Sequence, residues 1–269
     1  MVRARGAGAS KGLWAAGVVL VAVVVLTVYA MVTGGDDQDA ETPAKGGASA
    51  ASPTASASSS PAATYAPPDD WTEPERWASL TRGKRTDAHG SAVGFPHTVE
   101  GAVSMAVAAN TSAVEGETST YDEQMRLYDS YAAQEDHAPV AVEYIKKTTE
   151  KPDRDFEKAT GAPSGGPLPA GAYMRSNVVG YKIIESTRDE ISMWVLARAT
   201  QKNGEMAKES GSYTRTLVGV QWKDGDWKLG PEALARAMSQ TQTQAKPKIV
   251  APGDAAFNSA GWTAIREAS

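Results

Sequence analysis

The chain has 269 residues, no cysteine and a formal net charge of −5 at pH 7. Without cysteine it can form no disulfide framework, no thiolate metal site and no thiol-linked lipid anchor. Nucleic acid is not an expected partner, because phosphate contacts need clustered cations, whereas all 32 acidic residues but only 24 of the 27 basic residues lie beyond residue 32.

An uncharged apolar run, residues 13–32, is predicted to cross a membrane and to contact its lipid. Twenty residues at helical rise span about 30 Å, the thickness of the hydrocarbon core of a bilayer. Arg3, Arg5 and Lys11 precede the run, so the positive-inside rule places residues 1–12 in the cytoplasm. The sequence therefore predicts a single-pass cell-membrane protein with an extracytoplasmic C-terminal part.

A cleaved secretory signal is the alternative interpretation of the same N-terminus. A basic start and an apolar stretch are also the parts of a signal peptide, and Val28-Tyr29-Ala30 offers a small-residue cleavage site. Signal h-regions are usually shorter, about 7–15 residues, which favours a retained anchor. Cleavage would instead release a secreted protein.

Three further regions follow the apolar run. Residues 33–70 consist mainly of Ser, Ala, Pro, Thr, Gly and Asp, so they lack the apolar side chains that offset the entropy of ordering and are expected to form a disordered linker. Residues 71–240 have the length of one globular domain. Residues 241–269 form a C-terminal tail that Phe257, Trp262 and Ile265 are expected to dock onto this domain.

Three helices are predicted at the start of the domain. The first runs from Val99 to about Glu115, is capped by Thr98 and carries Asn110 in its small apolar face. The second opens at Thr120, three residues before Glu123, the spacing of a capping box.

In this second helix Tyr121, Met125, Tyr128 and Tyr131 should face inward, and Asp122 and Arg126 should form a solvated surface pair. The third helix is predicted from Pro139 to about Lys147.

The pattern then changes to that of β-strands. The stretches 172–186, 190–201 and 212–223 are rich in Val, Ile, Tyr, Trp and Thr, the residues that favour β-strands. From Ile191 to Ala199 the residues directed to both faces of the strand are mainly apolar, which is typical of a central strand covered on both faces. Asp224-Gly225 between two tryptophans indicates a hairpin with a type I′ turn. A short helix from Glu232 to about Ser239 should follow.

Helices followed by a meander that ends in VQWKDGDWKLG resemble the nuclear-transport-factor-two-like cone fold, over roughly residues 95–240. Together with an N-in anchor and a tether, the chain is similar to membrane-anchored assembly factors of type IV secretion systems and to TcpC-like conjugation proteins of Gram-positive bacteria. The resemblance implies an α+β domain whose helices pack on a curved antiparallel, cone-like sheet. It also implies a scaffold that contacts proteins or self-associates in the membrane, and not an enzyme.

Candidate chemistry is sparse. His89, His97 and His137 have no metal-binding spacing and are interpreted as surface or capping residues, and Asp224 and Asp226 are expected to serve the turn. No nucleophile elbow, phosphate loop or dinucleotide motif is found, so no catalytic residue, cofactor or metal is expected.

A ligand-binding or vestigial isomerase-like cone is the second hypothesis. It requires a cavity of about 300 Å³ or more, whereas a scaffold should fill its cone. The side chains expected to line such a cavity are Asn110, Tyr128, Tyr131, Trp194 and Trp222. The tryptophans are also consistent with ordinary core aromatics.

Overall fold

The structure is a computed structural model that describes residues 70–266. The predicted segments 1–12 and 13–32, and the linker 33–70 except for its last residue, lie outside this range. Within residues 70–266, no helix combines the length and the apolar character needed to cross a membrane. The predicted anchor therefore stays a prediction.

The described chain is α+β, with helices on both faces of a curved mixed sheet. The strands are β1 (Trp77–Ser79), β2 (Arg85–Thr86), β3 (Ala92–Val93), β4 (Ser112–Glu115), β5 (Ala172–Ser186), β6 (Glu190–Asn203), β7 (Ser210–Lys223), β8 (Asp226–Leu229) and β9 (Thr263–Arg266). The helices are α1 (Val99–Ala109), α2 (Thr120–Tyr131), α3 (Pro139–Thr160), α4 (Pro231–Thr241) and α5 (Ala255–Ser259).

The main sheet has the strand order β1-β9-β5-β6-β7-β8, and β4 pairs with the beginning of β5. The expectation of an antiparallel sheet is wrong at one edge, because β1 and β9 pair in parallel. These two strands come from opposite ends of the domain and need no tight turn between them. Register shifts between Val178 and Gly180 and between Ile183 and Glu185 interrupt the ladder of β5, and such bulges bend a sheet.

One face of the sheet is filled by α1. The apolar face of this helix, including Met105 and Ala106, packs on Met193, Val195 and Val218, and all five side chains are buried. The alanine-rich face lets the helix backbone approach the strands closely. This face of the sheet is thus occupied by the protein's own apolar side chains.

The opposite face of the sheet is covered by α4 and the C-terminal segment. Phe257 and Trp262 are fully buried against Trp194 and Leu196, which confirms the predicted docking of the tail and the prediction that β6 is covered on both faces. The segment also adds β9 to the main sheet, between β1 and β5. The stretch predicted as a separate tail is therefore continuous with the fold.

The predicted helix ends need correction. The first helix ends at Ala109 instead of about Glu115, because the side chains of Asn110 and Thr111 bond back to Ala106 O and Val107 O and the chain then enters β4. The third helix continues to Thr160, well beyond Lys147.

The second helix begins one residue earlier than predicted. Ser119 is its N-cap and forms the capping box with Asp122, in place of Thr120 with Glu123.

The strand predictions are confirmed in position. The stretches 172–186, 190–201 and 212–223 all lie within β5, β6 and β7. Asp224 and Gly225 have φ angles of 53° and 79°, which is the type I′ turn that the Asp-Gly pair predicts. The strands that precede α1, together with β4 and β9, are not in the sequence-based prediction.

Candidate functional site

An open groove of about 510 Å³ lies between the β2–β3 hairpin and the helices α1 and α2. We call it the hairpin groove. Its apolar lining is formed by Leu80, Phe95, Val107, Ala108 and Tyr131, and its cationic lining by Arg82, Arg85 and Arg126. The volume lies within the range of about 300–1,000 Å³ that is usual for ligand pockets.

One side of the groove is held by hydrogen bonds between distant parts of the chain, which the side chain of Asp226 accepts. Its carboxylate is buried at the start of β8, where Oδ2 accepts from Gly94 N at 2.7 Å and Oδ1 accepts from Phe95 N at 2.9 Å. Oδ1 also accepts from Trp227 N at 2.9 Å. Trp227 Nε1 donates to Pro96 O at 2.8 Å. The β7–β8 hairpin therefore holds the segment that leads from β3 into α1.

Helix α2 holds the other side of the β2–β3 hairpin through Arg126. Its guanidinium donates to Glu123 at 2.7 Å and 3.1 Å, to Ser91 Oγ at 2.7 Å and to Thr111 O at 3.3 Å. Burial lowers the pKa of Arg126, but the hydrogen bonds and charge of Glu123 outweigh this effect and raise it above its ordinary value. The cation is thus permanent and is matched by a carboxylate inside the protein.

Tyr131 adds a second contact between α2 and the hairpin. Its hydroxyl donates to Ala92 O at 3.1 Å, and its side chain is buried beside the apolar lining. Burial raises the pKa of Tyr131, so its hydroxyl stays protonated and able to donate. Together with Arg126, it fixes the hairpin on α2.

The loop at residues 81–84 is fixed by backbone contacts. Thr81 N donates to Ser104 Oγ at 2.8 Å, and Lys84 N donates to Gly94 O at 3.3 Å. Gly83 lies so close to β3 that a Cβ there would be 2.7 Å from Val93 O. None of these contacts uses a basic side chain, so the loop keeps its position while its cations face outward.

Arg82 and Arg85 line the groove, Lys84 lies between them in the sequence, and we call these three residues the cationic rim. All three are exposed, and no ion pair joins any of them to another residue between 70 and 266. This contrasts with Arg126, whose charge is paired with Glu123. Within residues 70–266, the rim is therefore a positive patch without salt-bridge partners.

A second, smaller cavity of about 190 Å³ lies near the start of α2 and is lined by carboxylates, among them Asp122 and Asp153. Asp153 accepts from Thr120 N at 2.7 Å and Tyr121 N at 3.3 Å, so it bonds to the free amides at the start of α2. Burial raises the pKa of Asp153. Among residues 70–266, no group of three or more acidic or histidine side chains is placed to hold a metal ion.

The structure does not gather the five predicted pocket residues at one place. Tyr131 lines the hairpin groove. Asn110 ends α1, where its Nδ2 donates to Ala106 O at 2.8 Å. Tyr128 is buried in a different cluster, and its hydroxyl donates to Asp136 O and accepts from Ala138 N. The side-chain amide of Asn110 and the hydroxyl of Tyr128 thus form hydrogen bonds to backbone atoms.

The two tryptophans lie on opposite faces of the sheet. Trp194 packs against Phe257 and Trp262 beneath the C-terminal segment. Trp222 is half-buried on the α1 side, where His97 stacks on it with ring centroids 4.0 Å apart. His97 Nε2 also lies 2.8 Å from Asp189 Oδ1, which ties the start of α1 to the β5–β6 turn.

Two expectations about polar residues are corrected. The surface pair of Asp122 and Arg126 does not form, because Asp122 is used in the capping box and Arg126 pairs with the buried Glu123. Asp226 does not serve only its turn, because two of its three amide partners lie in the segment 94–95. In the sequence, the β2–β3 hairpin is signalled only by the short apolar stretch at the end of the run TRGKRTDAHGSAVGF.

Comparisons with protein-family models, with curated proteins and with solved structures find no match to this chain.

Proposed function

We propose that this protein is a single-pass, membrane-anchored domain that makes protein contacts outside the cytoplasm, as part of a secretion or conjugation apparatus. Residues 13–32 hold it in the membrane with its N-terminus in the cytoplasm, and residues 33–70 tether the domain. The task of the domain is to position partner proteins or further copies of itself. No chemical step is assigned to it.

The observation that carries this proposal is the tightly filled space between α1 and the sheet. An isomerase or dehydratase built on a cone needs a hollow cone with an inward titratable group. Here Met105, Met193 and Val195 meet between α1 and the sheet and are 0–1 % exposed. An interior packed in this way supports a scaffold, whose function depends on its surface.

The hairpin groove supports ligand binding as the second candidate. Its volume exceeds the 300 Å³ or so that a small ligand needs, and it combines an apolar lining with cations. It lies outside the cone, however, and includes only Tyr131 of the predicted pocket residues. This candidate therefore calls for a surface ligand and not for a substrate within the fold.

Crosslinking in intact membranes tests the scaffold proposal. The full chain would carry a photo-crosslinking amino acid in place of Arg85 at the groove or, as a control, Lys147 on the exposed side of α3. Discrete, reproducible adducts with other proteins or with a second copy are expected from position 85 at the groove and not from position 147 on α3. Recovery of the chain always alone, from both positions, would contradict the proposal.

A further inference from the structure

The hairpin groove combines two features that define the chemistry of an occupant. Its wall is apolar where Leu80, Phe95 and Val107 line it, and its edge carries the cationic rim. An occupant that fits both features has apolar side chains for the wall and carboxylates for the rim. Arginine favours carboxylates in particular, because its planar donors can bind both oxygens at once.

The groove is preformed, which favours binding. Its hairpin is held by Asp226 on one side and by Arg126 and Tyr131 on the other, and its loop is held by Ser104 and Gly94. A partner therefore does not have to order these walls, and less of the binding free energy is lost. The cations of the rim take no part in holding the walls, so they remain available.

We propose that the hairpin groove binds an extended acidic segment of a partner protein, in which apolar side chains alternate with carboxylates. This inference rests on the proposed function and names the chemistry of the partner. The apolar wall and the cations lie along one open groove, which suits an extended peptide chain better than a flat membrane surface. The acidic stretch 34–45 of the chain itself, GGDDQDAETPAK, has no large apolar side chain for the wall.

Peptide binding to the full chain tests the inference. The chain is placed in phosphatidylcholine nanodiscs, and a short fluorescein-labelled peptide of alternating glutamate and leucine is titrated at physiological salt with fluorescence anisotropy as the readout. Two matched peptides replace every glutamate by lysine or every leucine by serine. The glutamate–leucine peptide is expected to bind, and both matched peptides are expected to bind more weakly.

A pair of double variants locates the binding. Arg82→Gln with Arg85→Gln removes two charges of the rim, and Lys146→Gln with Lys147→Gln removes two exposed charges of α3. The rim variant is expected to weaken binding by about fivefold to thirtyfold, since each exposed ion pair is worth a few-fold. The α3 variant should bind as the unaltered chain does. These four side chains are exposed, so the fold should tolerate both changes.

Three results would overturn the inference. They are no binding of the glutamate–leucine peptide, equal weakening by the two double variants, and binding of the serine-matched peptide as tight as that of the leucine peptide. Failure of the chain to insert into nanodiscs would refute the anchor of the proposed function instead. In that case the same titration on the free chain still decides whether the groove binds the peptide.

Discussion

Asp226→Asn should destabilise the domain although it changes only one atom of a side chain. The carboxylate accepts three backbone amides, and the residue is 6 % exposed. An asparagine can keep Oδ1 facing Phe95 N and Trp227 N, but its Nδ2 must then face Gly94 N, which is also a donor. One hydrogen bond is lost, the other two lose the charge of their acceptor, and two donors are left facing each other at a buried position.

The magnitude follows from this geometry. A hydrogen bond to a charged group contributes about 1.5–3 kcal/mol, and a buried amide left without an acceptor costs about 1–3 kcal/mol. Because these two effects overlap, Asp226→Asn should lower the free energy of unfolding by about 2–4 kcal/mol. For a domain of this size, that corresponds to a fall in Tm of roughly 6–12 °C.

Asp224→Asn is the matched control, two residues away in the same hairpin. Asp224 is exposed at the turn with a φ of 53°, a conformation that asparagine tolerates well. Urea unfolding of the full chain in nanodiscs, followed by tryptophan fluorescence, should leave this variant within about 0.5 kcal/mol of the unaltered protein. Equal stability of the two variants would refute the role assigned to Asp226.

Three further predictions concern other parts of the fold. Gly219→Ala should lower the free energy of unfolding in urea by about 3 kcal/mol, because its Cβ would lie 2.3–2.5 Å from the backbone of α4. Gly211→Ala, in the same strand, is the control and should be neutral, because its Cβ would meet nothing closer than 3.4 Å. Equal effects of the two substitutions would contradict this packing. Phe257→Ala should lower the free energy of unfolding by about 3–5 kcal/mol, because the ring is fully buried. Ile249→Ala, at a half-exposed position, is the control and should lower it by less than about 1 kcal/mol. If Phe257→Ala had no effect, the C-terminal segment would be dispensable for stability. Burial raises the pKa of Asp153, so its contribution to stability is complete below its unfolded pKa of about 4 and is lost as pH rises through the folded value. The stability of the unaltered chain relative to Asp153→Asn should therefore fall as pH rises above about 4, and a rise would contradict the direction of the shift.

The strands could be predicted because their signals are local. From Ile191 to Ala199 the residues directed to both faces of the strand are mainly apolar, and β6 is in fact covered by α1 on one face and by the C-terminal segment on the other. Asp224-Gly225 predicted the type I′ turn for a similar reason, since a two-residue turn depends on the φ angles of its own residues.

The helix ends could not be predicted as well, because contacts elsewhere in the chain decide them. The apolar residues of β4, Ala113 and Val114, also fit the face of a helix that continues from α1. Their pairing with Arg175 and Met174 of β5 makes them a strand instead. Helical periodicity alone cannot separate these two outcomes over one turn.

The hairpin groove could not be predicted for a related reason. Its walls meet through bonds that join residues far apart in sequence, such as Asp226 to Gly94 and Phe95. Neither the burial of Glu123 nor its pairing with Arg126 follows from a helical wheel. Arg82, Lys84 and Arg85 are close together in the sequence, but nothing local shows that an apolar wall lies beside them.

The orientation of the chain across the membrane is the claim on which the proposed function depends most directly. Since the chain has no cysteine, Ser10→Cys and Ser58→Cys give two variants with one cysteine each. Each variant can be labelled in cells with a membrane-impermeant maleimide. The anchor predicts that the cysteine at position 58 is labelled in intact cells, that the cysteine at position 10 is labelled only after permeabilisation, and that both proteins remain in the membrane fraction. Recovery of the protein from the culture fluid with an N-terminus near Met31, or labelling of position 10 in intact cells, would contradict it.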